Sequence, residues 1–552
     1  MGKNFVVGLN LCNLQLSIVN CQLKIVYLCK KKRMKVTFVV LGSEQLAISM
    51  LSAIAKREGH QVGIAFSAAL FHDRFNLEIP WLAKYLDDRS LVIQQIKEQK
   101  PDVLSFSCLT ATYQWMLDIA REAKQINPNI KTIFGGVHVS AVPERALTKP
   151  EVDYVVVGEG DVAFPEILRA IANGGSKAPI PNTRFKHKDG TIVRGVQQGF
   201  IQDLDSLPHY DKTIWEDHIR VGDLYLTMAS RGCPYTCSFC FNNFFSKLPE
   251  EKRGKYVRQR SVNHVMQELT LAKKRYKIRW IDFQDDVFTV SKPWIKEFTE
   301  RYKKEIGLPY QCLVHPQYFD EEMAKWISES GCEWIQMGIQ TMDEKFKHEN
   351  LRRYEDSDHI VKGLEAMRRY GIKAKVDHML GLPGEPIGSQ ATALKLYSEQ
   401  TPSRIQTFWT CFLPGTDLMK QGIEQGLVSD EQAERLNEGI DFYFFRNEEN
   451  IKSPELVNTY RNYELLYRIL PALPGFIRTR IKPEHVNWIP YPIARAIAFM
   501  GDTFTGFSNS NPEFVAYARH YLFHLRAFAM RKLGMKPPKA TKVLEGKQVQ
   551  KV

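Results

Sequence analysis

Three cysteines crowd one short run, Arg231-Gly232-Cys233-Pro234-Tyr235-Thr236-Cys237-Ser238-Phe239-Cys240. Three thiolates at C-x3-C-x2-C spacing can hold three corners of a [4Fe–4S] cube, which leaves the fourth iron without a protein ligand. An iron with an open position can bind a substrate, so the arrangement is catalytic in kind. The alternative is structural zinc. That metal wants a closed tetrahedral set, usually built from two Cys pairs. No fourth Cys or His follows closely, and His264 is the nearest downstream histidine.

Elements must position this loop, and strand–helix alternation supplies them. Over 34–173, short β-branched runs predict strands at 35–41, 61–66, 102–107, 130–134 and 153–157. Helical periodicity falls at 44–58, 91–99, 111–126 and 161–173. Such alternation gives a doubly wound parallel sheet with ligands at the carboxyl ends of its strands. Those ends carry Gly42, then Ser107-Cys108-Leu109, Gly135-Gly136 and Gly158-Glu159-Gly160-Asp161. Residues 174–222 read as a linker with a few short strands. From 223 to 420 the units repeat: helix 261–276; strand 279–284; strand 311–314; helix 321–330; strand 334–339; helix 356–370; strand 373–380; helix 387–399; strand 404–410. They predict an open, partial α/β barrel with its chemistry at the C-terminal strand ends.

The cysteine run and its flanks resemble the signature of radical S-adenosylmethionine (SAM) enzymes. The S-x-L of Ser107 and Leu109, the Gly135-Gly136 pair and the GGVHVSAVPE…VDYVVVGEGD order resemble the cobalamin-binding domains fused to such enzymes. The resemblance spans about 34–420. It implies a Rossmann/flavodoxin-like cobalamin domain, a partial (β/α)6 TIM-like radical SAM barrel and a mainly helical C-terminal region. It also implies three cofactors: a [4Fe–4S] cluster on Cys233, Cys237 and Cys240, SAM, and cobalamin. Phe239 and the loop Gly381-Leu382-Pro383-Gly384-Glu385 would lie by the adenine. Gln340, where the family often has Glu, would face SAM, and Arg353 rather than Arg352 would meet its carboxylate. Gly42, Ser107, Leu109, Gly135, Gly136, Gly158, Glu159 and Gly160 would line the cobalamin site. Many cobalamin domains carry D-x-H-x-x-G after the first strand, and its His ligates cobalt. Here that stretch is Gly42-Ser43-Glu44-Gln45-Leu46-Ala47, without a histidine; His60, His72 and His138 are nearby.

The implied activity is reductive cleavage of SAM to a 5′-deoxyadenosyl radical that activates a substrate C–H bond, for C-methylation. The alternative within the family is oxidative ring closure, as in the anaerobic magnesium-protoporphyrin ester cyclase. Outside it stand an RNA-modifying radical protein and a non-catalytic cobalamin sensor. Asp285-Asp286 ends the second barrel strand, where paired carboxylates bind substrate or take a proton. Tyr235 and His378 are further candidates for the substrate's surroundings.

Composition bounds the rest. Of 552 residues, 44% are hydrophobic and 25% charged, as in ordinary globular proteins. Ten cysteines are too few for a disulfide framework, and cluster ligation needs free thiolates, so the expected compartment is reducing and cytoplasmic. The net charge of +13 suits anionic partners, nucleic acid or lipid headgroups, without choosing between them. No apolar run reaches the roughly 18–20 residues of a membrane span. Residues 1–33 read as a poorly structured N-terminal extension, with Met34 the functional start. Region 421–536 reads as a helical domain rich in aromatics and arginines, for which peripheral membrane contact is one reading. No recognisable RNA-binding module appears there. The tail 537–552 reads as disordered. Expected partners are a small-molecule substrate, lipid-like or tetrapyrrole among the options, and an electron donor such as flavodoxin or ferredoxin.

Overall fold

The computed structural model describes residues 32–73, 77–176, 178–187, 189–251, 253–440, 451 and 453–544, with the backbone of two earlier strands. Those two, Leu14–Val19 and Gln22–Tyr27, pair as an antiparallel hairpin inside the stretch expected to be poorly structured. The other residues before 32 lie outside the described set.

The first sheet holds β1 (Lys35–Leu41), β2 (Gln61–Ser67), β3 (Val103–Ser107), β4 (Lys131–Gly135), β5 (Tyr154–Val156), β6 (Thr183–Lys186) and β7 (Ile192–Arg194). Its order is β7-β6-β5-β4-β3-β1-β2. β1 to β5 run parallel, and their interiors (Val36, Phe38, Val103, Ile133) are buried, as a sheet covered on both faces requires. β6 and β7 add antiparallel to the β5 edge, so part of the expected linker extends this sheet. Phe185 explains it: the ring is buried 5.5 Å from Tyr154.

The second sheet runs β8 (Tyr225–Thr227), β9 (Ile281–Phe283), β10 (Tyr310–Val314), β11 (Cys332–Gln340), β12 (Lys373–Leu380) and β13 (Arg404–Trp409), all parallel and in chain order. β8 and β13 do not pair, so the barrel is open. Beyond the helices expected from the sequence, Lys292–Glu305 covers the outer face. Its Ile295, Phe298, Thr299 and Tyr302 are buried at i, i+3, i+4 and i+7.

Helices Pro454–Ile469, Tyr491–Ser508 and Pro512–Lys532 complete the chain. Trp409 Nε1 donates to Glu464 at 3.1 Å, fixing the first helix against the barrel's open side. The last helix bridges both sheets. At its start Glu513 pairs with Lys375 of β12 at 2.6 Å, and further along the Tyr521 hydroxyl accepts the Phe71 N–H at 3.2 Å. One hydrophobic core therefore runs from Val36 through Tyr225 and Met337 to Tyr521. The tail departs from the expectation of disorder over its first residues. Thr541 N–H donates to Glu216 O at 2.9 Å, and Val543 bridges Tyr276. Residues 545–552 lie outside the described set. Among the described residues no helix is long and apolar enough to cross a membrane.

Candidate active site at the barrel mouth

The cysteine loop leaves β8 and is fixed at both ends. Upstream, buried Asp285 accepts the Ala229 N–H at 3.0 Å and the Ser230 hydroxyl. Burial lifts its carboxyl to about 6. Asp285 is thus a positioning group for the loop's entry strand. Gly232 follows with φ +87 and a Cβ there would stand 2.3 Å from Tyr256 O, so the chain must pass as glycine. Downstream, Ser238 N–H donates to Leu351 O at 3.2 Å, its hydroxyl donates to Asn350 O at 2.7 Å, and its carbonyl accepts the Leu418 N–H at 2.9 Å. Leu351 closes a π-helical turn, Lys347–Leu351, an irregularity typical of functional sites.

Cys237 is buried, and Cys233 and Cys240 are partly so; none is in a disulfide. They neighbour one another closely enough to raise each other's thiol pKa, although among the described residues no three His, Cys, Asp or Glu groups stand at metal-ligating distance of one point. Burial pushes Cys233 up to about 12 and Cys240 to about 11, so the protonated thiols would shed protons on binding iron. Asp286 lies exposed beside Cys233 and Cys240, and accepts from Asn242 at 2.8 Å.

Arg353 does not stand free for a carboxylate. Its Nε donates to Glu355 at 2.8 Å and its Nη2 to Gly338 O at 2.7 Å, while the guanidinium also lies against Cys237. That corrects the expected role: Arg353 faces the cluster loop. Arg352 is spent on Asp417 at 2.7 Å. Glu385 is corrected likewise. It is buried and accepts from Thr341, from Ser389 at 2.6 Å and from Gln390 at 3.0 Å, with its carboxyl lifted to about 7 by burial. It braces the GLPGE loop from behind, leaving Pro383 half-buried and Gly384 exposed. Gly381 is buried, with φ +69. Phe239 is half-buried between Leu382 with Met379 on one side and Phe412 with Leu418 on the other. Gln340 sits at the end of β11 with φ +67, after a bulge between Gly338 and Gln340 that re-aims it. His378 points outward behind β12, bonded to Tyr397 at 2.9 Å and Gln390 at 3.0 Å, away from the mouth. Tyr235 stacks on His315 at 3.7 Å and donates to Gln317 at 2.8 Å.

In the first domain the two signature loops are tied together. Cys108 N–H donates to Gly135 O at 2.7 Å and His138 N–H to Cys108 O at 3.2 Å. Gly136 has φ +97, and a Cβ would meet Cys108 N at 2.6 Å. Gly135 is different: a Cβ would make ordinary contacts only. Ser107 is half-buried, and Leu109 keeps 39% of its surface exposed between buried neighbours. An open glycine and an uncovered leucine at strand ends fit a large, partly apolar ligand. Gly42 is instead roofed by His520 of the last helix, which engages its backbone. Glu44, at the place of the absent histidine, forms a buried ion pair with Lys212. His60 and His138 are buried, and His138 Nδ1 is spent on Thr110 at 3.2 Å.

The GEGD loop meets the barrel domain through both of its carboxylates. Glu159 receives Arg258 at 2.6 and 3.0 Å, and Asp161 receives Arg231 at 2.8 and 3.0 Å. A Cβ on Gly158 would touch Leu248 of the barrel domain, and one on Gly160 would touch Leu51. Glu159 and Asp161 thus fasten the first domain to Arg258 and to Arg231, the residue two before Cys233. The carboxylates cannot serve a cofactor while two guanidiniums hold them. Burial alone would raise Asp161, and Arg231 more than offsets it, so its carboxyl lies below the usual range. No spacing rule links Asp161 to Arg231; only their opposite charges were legible. Replacing Arg231 by Met leaves the buried Asp161 carboxylate unpaired, at a cost of about 3 kcal/mol. Thermal melts should show that loss, and iron content after reconstitution should fall. An unchanged melt would rule out the clamp.

An α/β barrel with a thiol triad at its mouth is clamped by Arg231 and Arg258 to a strand-end loop of a doubly wound sheet, a two-domain α/β architecture. The B12 binding domain model matches residues 39–168 and the Radical SAM superfamily model matches 228–396. The chain is a radical SAM enzyme with an N-terminal cobalamin-binding domain. An uncharacterised methyltransferase of Pyrococcus horikoshii is 26% identical over 72% of this chain and 85% of its own length. The anaerobic magnesium-protoporphyrin IX monomethyl ester cyclase of Rubrivivax gelatinosus is 22% identical over 58% of each. The solved radical SAM methyltransferase TsrM of Kitasatospora setae, with cobalamin and a [4Fe–4S] cluster bound, shares the fold at TM-score 0.58. It has 16% identity and covers 84% of this chain and 99% of its own.

Proposed function

We propose that this chain is a cobalamin-dependent radical SAM methyltransferase acting on an unactivated carbon of a small molecule. The observation that carries the reading is the Arg231–Asp161 clamp, which sets the cluster loop against the strand ends of the B12 binding domain. When bound, the [4Fe–4S] cluster with SAM supplies radical chemistry and cobalamin a transferable methyl group. In this reading Cys233, Cys237 and Cys240 hold the cluster, and Arg353 steadies Cys237 electrostatically. Phe239 with Gly381, Pro383 and Gly384 shelters the adenine, and Gln340 turns toward SAM. Ser107, Leu109, Gly135 and Gly136 border the cobalamin slot. The working divisions are 34–173 for cobalamin, 223–420 for radical chemistry and 421–536 for the helical cover. Product mass tests it: a gain of one methyl supports methylation, whereas a new oxygen-containing ring supports the cyclase reading favoured by the second relative.

A low-potential donor such as flavodoxin or ferredoxin supplies the electron in this scheme, in a reducing cytoplasm. The helix Tyr491–Ser508 turns Ile493, Met500, Phe504 and Phe507 outward, and exposed Phe476, Trp488, Arg480, Lys482 and Arg495 lie on it or just before it. Exposed aromatics with nearby cations suit an anionic membrane surface. The protein should co-sediment with anionic vesicles and not with neutral ones, and Phe504→Ser with Phe507→Ser should abolish it. No recovery with anionic vesicles, or recovery that survives both substitutions, would refute the contact.

A further inference from the structure

Alternate residues of a barrel strand face inward, and an enclosed barrel is ordinarily packed with branched apolar side chains. This one is not. Its outer faces take Phe283, Tyr310, Ile335 and Val376 into the core. Its inner wall carries Asp282 on β9, Gln311 on β10, Gln336 on β11, Asp377 on β12 and Gln406 on β13. The register sets these side by side: Asp282 against Gln311, Gln336 against Lys375, and Gly338 against Asp377 against Gln406.

The wall's hydrogen bonds leave three acceptors over, with two unpartnered donors, Trp334 Nε1 and Arg404 Nε, nearer the strand starts. Gln284 Nε2 donates to Asp282 Oδ2 at 2.6 Å, and Gln336 Nε2 donates to Asp377 Oδ2 at 2.6 Å. Among the described residues the other oxygens, Asp282 Oδ1 and Asp377 Oδ1, are solvent-inaccessible and have no hydrogen-bond partner, and neither has Gln406 Oε1. Asp282 itself is 1% exposed. The wall's two cations are engaged elsewhere: Lys375 Nζ is held by Glu513 Oε2 at 2.6 Å, and Arg404 Nε lies 3.6 Å from Asp502. Glu513 also takes the Gln311 amide at 3.0 Å. Burial lifts Asp282 to about 7 and Asp377 to about 6, outweighing the fields of Lys375 and, at Asp377, of Arg404.

Three acceptors from three strands, two of them carboxylates, ask for a cationic donor. A buried acceptor left unsatisfied costs free energy, so such groups persist where a ligand fills them. We propose that the substrate enters the barrel with a protonated amine or guanidinium lodged between Asp282, Asp377 and Gln406. This inference rests on the proposed function in placing the reacting molecule inside the barrel. It selects a basic substrate over a lipid-like one, which brings no donors, and over an acidic tetrapyrrole, which the carboxylates repel.

The test is thermal shift of the full chain, cluster and cobalamin loaded, at pH 8 and constant ionic strength, without SAM or reductant. Agmatine, phenethylamine and spermidine serve as cationic probes, with phenylacetate and glutarate as acidic ones. At least one amine should raise the Tm by about 2 °C or more, the acids should not, and Asp282→Asn with Asp377→Asn should abolish the shift. Gln406→Leu should weaken it, and gives a second reading if the double variant misfolds. No amine effect, an equal effect of the acids, or a shift surviving in the variants would overturn the proposal. Because no SAM is cleaved, selective amine binding alongside absent radical chemistry would fail the proposed function and leave this inference standing.

Discussion

Replacing Cys237 by Ala should remove SAM cleavage to background while the protein stays folded. Cys237 is the buried member of the triad and the one that Arg353 touches. Burial raises its thiol pKa, and the Arg353 guanidinium counters part of that rise. The loop's shape rests on other groups: Gly232, Asp285 and the three bonds of Ser238. Loss of one sulfur should therefore leave the melt nearly unchanged and cost the cluster. Iron content and 5′-deoxyadenosine yield read the effect, and Cys233→Ala and Cys240→Ala should match it. Retained cleavage in any of the three would refute the assignment of the loop.

Replacing Gly136 by Val should strip cobalamin and spare the cluster. At φ +97 and ψ 178 the residue occupies a region that is nearly closed to side chains. Its new Cβ would also stand 2.6 Å from Cys108 N and 2.7 Å from Cys108 O, both backbone atoms that cannot yield cheaply. Strain and overpacking together cost roughly 3 kcal/mol or more, concentrated where the two signature loops cross. Cobalamin retained after gel filtration should drop to near zero, while iron content stays near that of the unaltered chain. Gly135→Ala should be milder, because that Cβ meets only ordinary contacts. Equal retention in Gly136→Val would detach these loops from cofactor binding.

The two sheets were legible because buried parallel strands write themselves as short β-branched runs, and β1, β3 and β12 fall where those runs lie. The cysteine loop was legible because iron ligation dictates spacing. What the sequence withheld depends on distant pairing. Glu159 and Asp161 look like part of a cofactor loop until Arg258 and Arg231, about seventy residues or more away in the chain, close on them. Glu385 sits inside a motif that suggests a ligand contact, yet its side chain turns back to Ser389 and Gln390. Arg353 was expected at a carboxylate and found one, Glu355, in the protein itself. Lys292–Glu305 is hard to read from sequence although its buried positions are periodic, since lysines and glutamates dominate its surface. The tail at Thr541 has polar, low-complexity flanks, and only tertiary hydrogen bonds order it.

The most direct test of the central claim follows the methyl group. The reconstituted chain, holding cluster and cobalamin, is reduced anaerobically with SAM bearing a deuterated methyl, and the corrinoid fraction is recovered for mass spectrometry. A methyltransferase with facing cofactors predicts the deuterated methyl in that fraction, and its loss in Cys237→Ala and Gly136→Val. Label found only in methionine and unreacted SAM, with 5′-deoxyadenosine still formed, would contradict the account.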